Sequence, residues 1–154
     1  MAGTITGQEV FETAMSLLDE LSSAGLADTS DTAEYKNRSL AILNLLQIEL
    51  YPYSDTYAVA TAGTRPIPTR ITSLANAITN IDDNLALGVM PYGLAGKLLA
   101  GEGDSRGNYY LETYAELKRQ LSTAPAEFAA IENVYGVMSD DGMPIFEHSE
   151  FGSW

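Results

Sequence analysis

Apolar residues recur along this chain at the three- and four-residue spacing of helices buried on one face, in four separate stretches. In the first, Val10, Phe11, Ala14, Met15, Leu18 and Leu21 share a face. Thr6-Gly7-Gln8-Glu9 has the form of a capping box, in which the Thr6 hydroxyl and the Glu9 carboxylate satisfy orphan amides reciprocally, and Ile5 and Val10 are placed as a hydrophobic staple. Gly25 sits where a left-handed terminator belongs, with Leu26 packing back on Leu21 as a Schellman motif requires. The second stretch opens on Asp31-Thr32-Ala33-Glu34, again a capping-box pattern, and carries Tyr35, Leu40, Ile42, Leu43, Leu46 and Leu50. It must end near Tyr51, because Pro52 disfavours helical geometry in the residue before it. At about twenty residues it spans ~30 Å, the length of a central strut.

The third stretch begins at Asp82-Asp83, a cap whose charge matches the helix dipole, and runs through Leu85, Val89, Leu94, Leu98 and Leu99. Pro91 removes the amide that would bond the Leu87 carbonyl, so a kink is expected there. Gly88, Gly93, Gly96 and Ala100 let another helix approach closely. After the joint Gly101-Glu102-Gly103-Asp104, a fourth helix capped by Asp104 or Ser105 sets Tyr110, Tyr114, Leu117 and Leu121 on one face. Its aromatics fill the gap left by the small residues, and Tyr109 reads as half-buried packing. Leu46→Ala is expected to be a costly core truncation and Asp83→Asn a nearly silent change.

Two segments break the pattern. Between the second and third helices, Thr56-Tyr57-Ala58-Val59-Ala60 alternates weakly, as a strand would, and Gly63, Pro66 and Pro68 then exclude a helix. Ile71, Leu74, Ala77 and Ile78 restore apolar anchors without an assignable element. A connection this long without regular structure is uncommon unless functional or mobile. Tyr57, Val59, Arg65, Ile67 and Arg70 are its candidate contacts with a neighbouring subunit, a solvent-exposed loop being the alternative. Residues 123–154 hold six acids and no Lys or Arg, yet also Phe128, Ile131, Val134, Tyr135, Ile145, Phe146, Phe151 and Trp154. Disordered tails are poor in aromatics, so this one reads as an extended docking arm. The pattern therefore predicts an all-α fold: a four-helix bundle over residues 1–122 with a long irregular loop between helices two and three, and an extended C-terminal arm over 123–154.

Composition narrows the function. A chain of 154 residues is long enough to bury a genuine core. It has no cysteine, which excludes a disulfide scaffold and thiolate metal sites and fits assembly in a reducing cytoplasm. No basic-then-apolar leader opens it, and its apolar runs fall short of the ~20 residues a membrane span needs. Twenty-one acids against eight bases give a net charge of −13. Binding to nucleic acid relies on clustered Lys and Arg that displace phosphate counterions, and no such stripe exists. The acidity serves solubility or, alternatively, a surface past which DNA moves without sticking.

Catalytic patterns are missing from the sequence. His148 is the sole histidine, so neither a histidine metal pair nor a Ser-His-Asp set with a spare base is available. Gly101-Glu102-Gly103 lacks the lysine of a phosphate loop, and its acids would repel the anion. The adjacent carboxylates of Asp82-Asp83 and Asp140-Asp141 do not converge as calcium or magnesium ligands must. The expectation is no catalytic residue, no cofactor and no metal.

Several segments resemble the head–tail connector (adaptor) proteins of tailed bacteriophages. They are Ala41-Ile42-Leu43-Asn44-Leu45-Leu46, Glu49-Leu50-Tyr51-Pro52-Tyr53, Ile71-Thr72-Ser73-Leu74, Met90-Pro91-Tyr92-Gly93-Leu94-Ala95, Tyr114-Ala115-Glu116-Leu117 and Ile131-Glu132-Asn133-Val134-Tyr135-Gly136. Two departures accompany them: Ala75 to Ile81 intervene between Leu74 and the acidic cap, and the chain continues past Gly136. The resemblance implies a connector-type helical subunit in a homo-oligomeric ring of about twelve copies at the virion neck. It further implies as partners the portal protein and a downstream neck, stopper or tail protein, with DNA only as passing cargo, no membrane, and assembly in the host cytoplasm. The competing reading is a small helical protein-interaction or regulatory module with no virion role.

Overall fold

A computed structural model describes residues 3–57 and 67–123. The weak strand pattern at 56–60 falls mostly outside those residues, as does the arm beyond Thr123. The described residues form an all-α bundle of five helices: α1 (Gly7–Leu18), α2 (Ala33–Leu50), α3 (Asp83–Gly88), α4 (Met90–Gly101) and α5 (Arg106–Thr123), with a 3-10 turn at Tyr51–Tyr53 after α2. The third expected helix is thus two. Pro91 stands in the first turn of α4, and the break falls just before it, at Val89, whose φ of −122° and ψ of −46° leave the helical region. With no amide at Pro91 to continue the ladder, a new helix starts instead of a bent one.

The start of α1 is as its sequence predicts. The Glu9 amide donates to the Thr6 hydroxyl at 3.2 Å, and the Thr6 amide donates to the Glu9 carboxylate at 2.8 Å. Its end is not. The helix stops at Leu18 because Asp19 takes the left-handed conformation at φ 60°, and the Asp19 and Glu20 amides reach back to the Ser16 and Met15 carbonyls at 3.2 and 2.9 Å. This is the Schellman motif, well before Gly25 and without a glycine. Gly25, at φ 75°, turns the following loop instead, and Leu21 and Leu26 are both exposed. The capping box expected at Asp31-Thr32 also fails to form: the Thr32 hydroxyl donates backwards to the Ala27 carbonyl at 2.6 Å and makes no cap bond. That hydroxyl folds the α1–α2 loop onto itself.

Helix α4, and not α2, is the central element, touching α1, α2, α3 and α5. The cause is composition. α4 buries Met90, Pro91, Gly93, Leu94, Ala95, Gly96, Leu98 and Leu99, so it is apolar nearly all round, whereas α2 buries one stripe centred on Leu43, Leu46 and Leu50. Helices α4 and α5 form the expected hairpin. A Cβ placed on Gly93 would come within 2.7 Å of Leu46 and 2.9 Å of the Tyr114 ring, and one on Gly96 within 2.7 Å of Leu111. Only hydrogen at these positions permits the close approach.

The irregular segment 67–82 is part of the core, not a loop over solvent: Ile71, Ile78 and Ile81 are buried. The N-terminal strip runs antiparallel beside it, with Ile78 donating to the Ile5 carbonyl at 2.8 Å and Gly7 to the Asn76 carbonyl at 3.1 Å. Within the described residues, this isolated bridge is the only β pairing. Asp82 is the expected N-cap, accepting from the Leu85 amide at 3.0 Å. Asp83 is not a second cap. Its carboxylate accepts the Thr4 amide at 2.6 Å, the Thr4 hydroxyl at 2.7 Å and the Ile5 amide at 3.2 Å, clamping the N-terminal strip to the start of α3. The expectation that Asp83→Asn is nearly silent is therefore revised.

Candidate functional site

The chemistry-bearing side chains meet at Glu49, near the C-terminal end of α2. The Lys97 ammonium, from α4, donates to Glu49 Oε1 at 2.9 Å. The Tyr114 hydroxyl, from α5, donates to Oε2 at 2.9 Å, and the Lys118 ammonium lies 3.9 Å from that same oxygen. Lys118 also sits over the Tyr114 ring, 4.4 Å from its centroid, within the range of cation–π attraction. Burial alone pulls the Glu49 carboxyl upward, but the hydrogen bonds from Lys97 and Tyr114 and the two ammonium charges outweigh it and hold the group below its ordinary value. Tyr114 is shifted the other way: its burial and its hydrogen bond to the Glu49 carboxylate raise its pKa. The cluster ties three helices together with charge-assisted bonds, and its carboxylate and phenol are engaged with each other.

A second polar joint lies one to two turns back along α2. The Asn44 side-chain amide donates to the Ile71 carbonyl at 3.0 Å and accepts from the Ile71 amide at 2.9 Å, pairing with that residue as a strand would. At the opposite end of the helices, the Tyr35 hydroxyl donates to Glu102 at 2.8 Å, and burial followed by that carboxylate pushes Tyr35 up to about 12.

Of the expected contact residues, Tyr57 is half-exposed and meets the Tyr51 ring edge-on at 5.2 Å. Ile67 is 78% exposed and Arg70 is exposed as well. Val59 and Arg65 lie outside the described residues, as do Phe128, Ile131, Val134, Tyr135, Ile145, Phe146, Phe151 and Trp154. The structure adds what sequence reading missed: Glu49, Lys97 and Lys118 as one cluster, and Leu45 and Ile48 as exposed apolar side chains on α2, 54% and 52% accessible. The signal was present in part. Tyr114 falls on a buried face, and a buried tyrosine requires a partner for its hydroxyl.

An open hollow of about 270 Å³ lies between Tyr53, Asp55, Asp82, Leu85, Val89 and Leu121. Asp82 there is committed to the Leu85 amide and to the Ser54 hydroxyl, which donates to it at 3.1 Å. Among the described residues no three His, Asp or Glu side chains converge to hold a metal ion. No helix among them is long and apolar enough to cross a membrane. No protein-family model, curated protein or solved structure matches the chain.

Proposed function

We propose that this chain is a structural subunit of a phage head–tail connector, assembling as a ring below the portal through which DNA passes. The observation that carries the reading is a convergence. Asn44 and Ile71, which belong to two of the segments resembling that family, are bonded to each other. Glu49 and Tyr114, which belong to two more, are bonded to each other through the cluster around Lys97. Gly93, from the remaining described segment, packs against Leu46 and Tyr114. Segments scattered over the sequence thus form one continuous seam across α2, the irregular segment, α4 and α5, as the shared framework of a family would. The net charge of −13 suits a wall that DNA slides past, since a wall of lysines would hold it.

Electron microscopy of the purified protein, alone and with a tailed-phage portal protein, tests the reading. Rings with a central opening that seat on the portal are expected. A closed monomer or dimer that ignores the portal would overturn it in favour of a helical interaction module. Free protein should leave a DNA duplex unshifted in a gel at physiological salt, and a salt-sensitive shift at micromolar protein would count against a passive channel.

A further inference from the structure

The exposed face of α2 combines two properties. Ala41, Leu45 and Ile48 follow one another at four- and three-residue spacing and are all exposed, which makes an apolar stripe along the helix. Glu49 lies one turn from Leu45 on the edge of that stripe, and with it come Lys97 and Lys118. Lys36, Arg106 and Arg119, by contrast, each face a carboxylate of their own, Asp28, Asp104 and Glu116. Here two ammonium groups share one carboxylate, so in a strongly acidic chain this edge carries a surplus of positive charge. Both lysines retain solvent access, 30% and 25% of the side chain.

A ligand for such a surface must be apolar and acidic at once. Residues 124–154 of the chain itself meet that description, with six acids, no Lys or Arg, and large apolar side chains that include Phe146, Phe151 and Trp154. We propose that the Ala41–Leu45–Ile48 stripe with its Lys97–Lys118 edge receives the 124–154 segment of a neighbouring copy. The inference rests on the ring reading above. A closed ring uses heterologous contacts, in which one surface of each subunit meets a different surface of the next. An acidic apolar segment and a basic apolar stripe form such a pair, and each copy supplies one of each. The apolar side chains contribute most of the affinity, while the charges set orientation and encounter rate.

The test uses two full-length variants. One, Leu45→Asp with Ile48→Asp, spoils the stripe at exposed positions outside the Glu49 cluster. The other, Phe146→Asp with Phe151→Asp and Trp154→Asp, spoils the segment. Circular dichroism checks that both keep their helices, and sedimentation velocity reads association. Wild type should associate reversibly, more weakly as salt rises. Each variant alone should associate at least about tenfold more weakly, the scale expected for loss of a central apolar anchor. Mixed one to one, the variants should form a heterodimer, because one still owns a stripe and the other a segment. A stripe variant that associates as tightly as wild type overturns the proposal. So does a mixture that stays apart, which would place the segment on its own subunit or on another protein, and so does a wild type that remains monomeric. The connector reading fails separately: if the stripe variant still forms rings on the portal, only this pairing is lost, and if pairing occurs without rings, only the ring reading is lost.

Discussion

The α4–α5 hairpin and the irregular segment 67–82 pack onto the same core by opposite means. The hairpin is held by shape. Gly93 and Gly96 leave room that the Tyr114 ring and Leu111 fill, and the backbone amides are satisfied within the helices themselves. The segment has no ladder of its own, so its backbone groups must be satisfied by side chains or by the N-terminal strip. Asn44 pairs with both polar groups of Ile71, and the Asn76 side chain accepts from the Ser73 amide at 2.8 Å. Asn80 donates to the Thr69 carbonyl at 3.1 Å, while Asp83 holds Thr4 and Ile5. The difference teaches that a long stretch without periodicity need not be loose. A few short polar side chains, several of them bonded to backbone far away in sequence, replace the regular ladder.

The largest effect should come at the core side chain on which the hairpin closes. Leu46 is fully buried on α2 and touches the site opposite Gly93, so Leu46→Ala should cost about 2–5 kcal/mol in urea unfolding by leaving a cavity. A loss under about 1 kcal/mol would mean that the hairpin collapses into the space. Asn44→Ala comes next. It strands the amide and carbonyl of Ile71, a residue only 7% exposed, at about 1–3 kcal/mol. Hydrogen exchange should show the loss confined to residues near Ile71 with α5 still protected, and uniform loss would show that the two regions unfold as one. Gly96→Ala should cost less. The new methyl meets Leu111, an overpacking penalty of about 1–3 kcal/mol, and the gain in helix propensity returns roughly 1 kcal/mol of it. A stabilised variant would show that the hairpin has slack.

The same contrast explains what could be read from the sequence. The helices announced themselves by period, and the hairpin by small residues facing aromatics, because both signals are local. The end of α1 is not legible in the sequence because Gly25 is the better terminator by type, yet Asp19, whose side chain tolerates the left-handed conformation, takes the role first. The segment 67–82 is not legible in the sequence because several of its bonds reach residues tens of positions away: Asn44 to Ile71, Ser54 to Asp82, Ile5 to Ile78. The Glu49 cluster was hidden for the same reason, since its members come from three helices whose relative rotation periodicity does not specify. Ile67 does project from the surface, but the exposed stripe at Leu45 and Ile48 lies on a helix whose apolar residues read first as core.

The smallest effect is also the most specific, because it isolates one carboxylate clamp by its pH dependence. The Asp83 carboxyl is held below its ordinary value of 3.8, first by the Thr4 hydroxyl and then by the Thr4 and Ile5 amides, all of which donate to the ionised form. In the unfolded chain those donors are gone and the group binds its proton at the ordinary value. Between the two values the unfolded state holds more protons than the folded one, so stability must rise with pH there. The contribution is complete above the ordinary carboxylate value and is lost as pH falls through it toward the depressed folded value. Glu9 and Glu49 are depressed as well and add slopes of the same sign in the same region. The Glu49 slope is common to wild type and Asp83→Asn and cancels in the difference, whereas Glu9, which the Asp83 charge raises, is held lower still in Asp83→Asn and offsets a part of the closure. The gap in urea midpoint between the two proteins should therefore be constant above about pH 5 and should narrow as pH falls through the ordinary carboxylate value of 3.8. An unchanging gap would mean that the substituted amide is tolerated or rejected for its shape. The clamp on the N-terminal strip would then be steric, like the hairpin, and the distinction between the two regions would fail at this point.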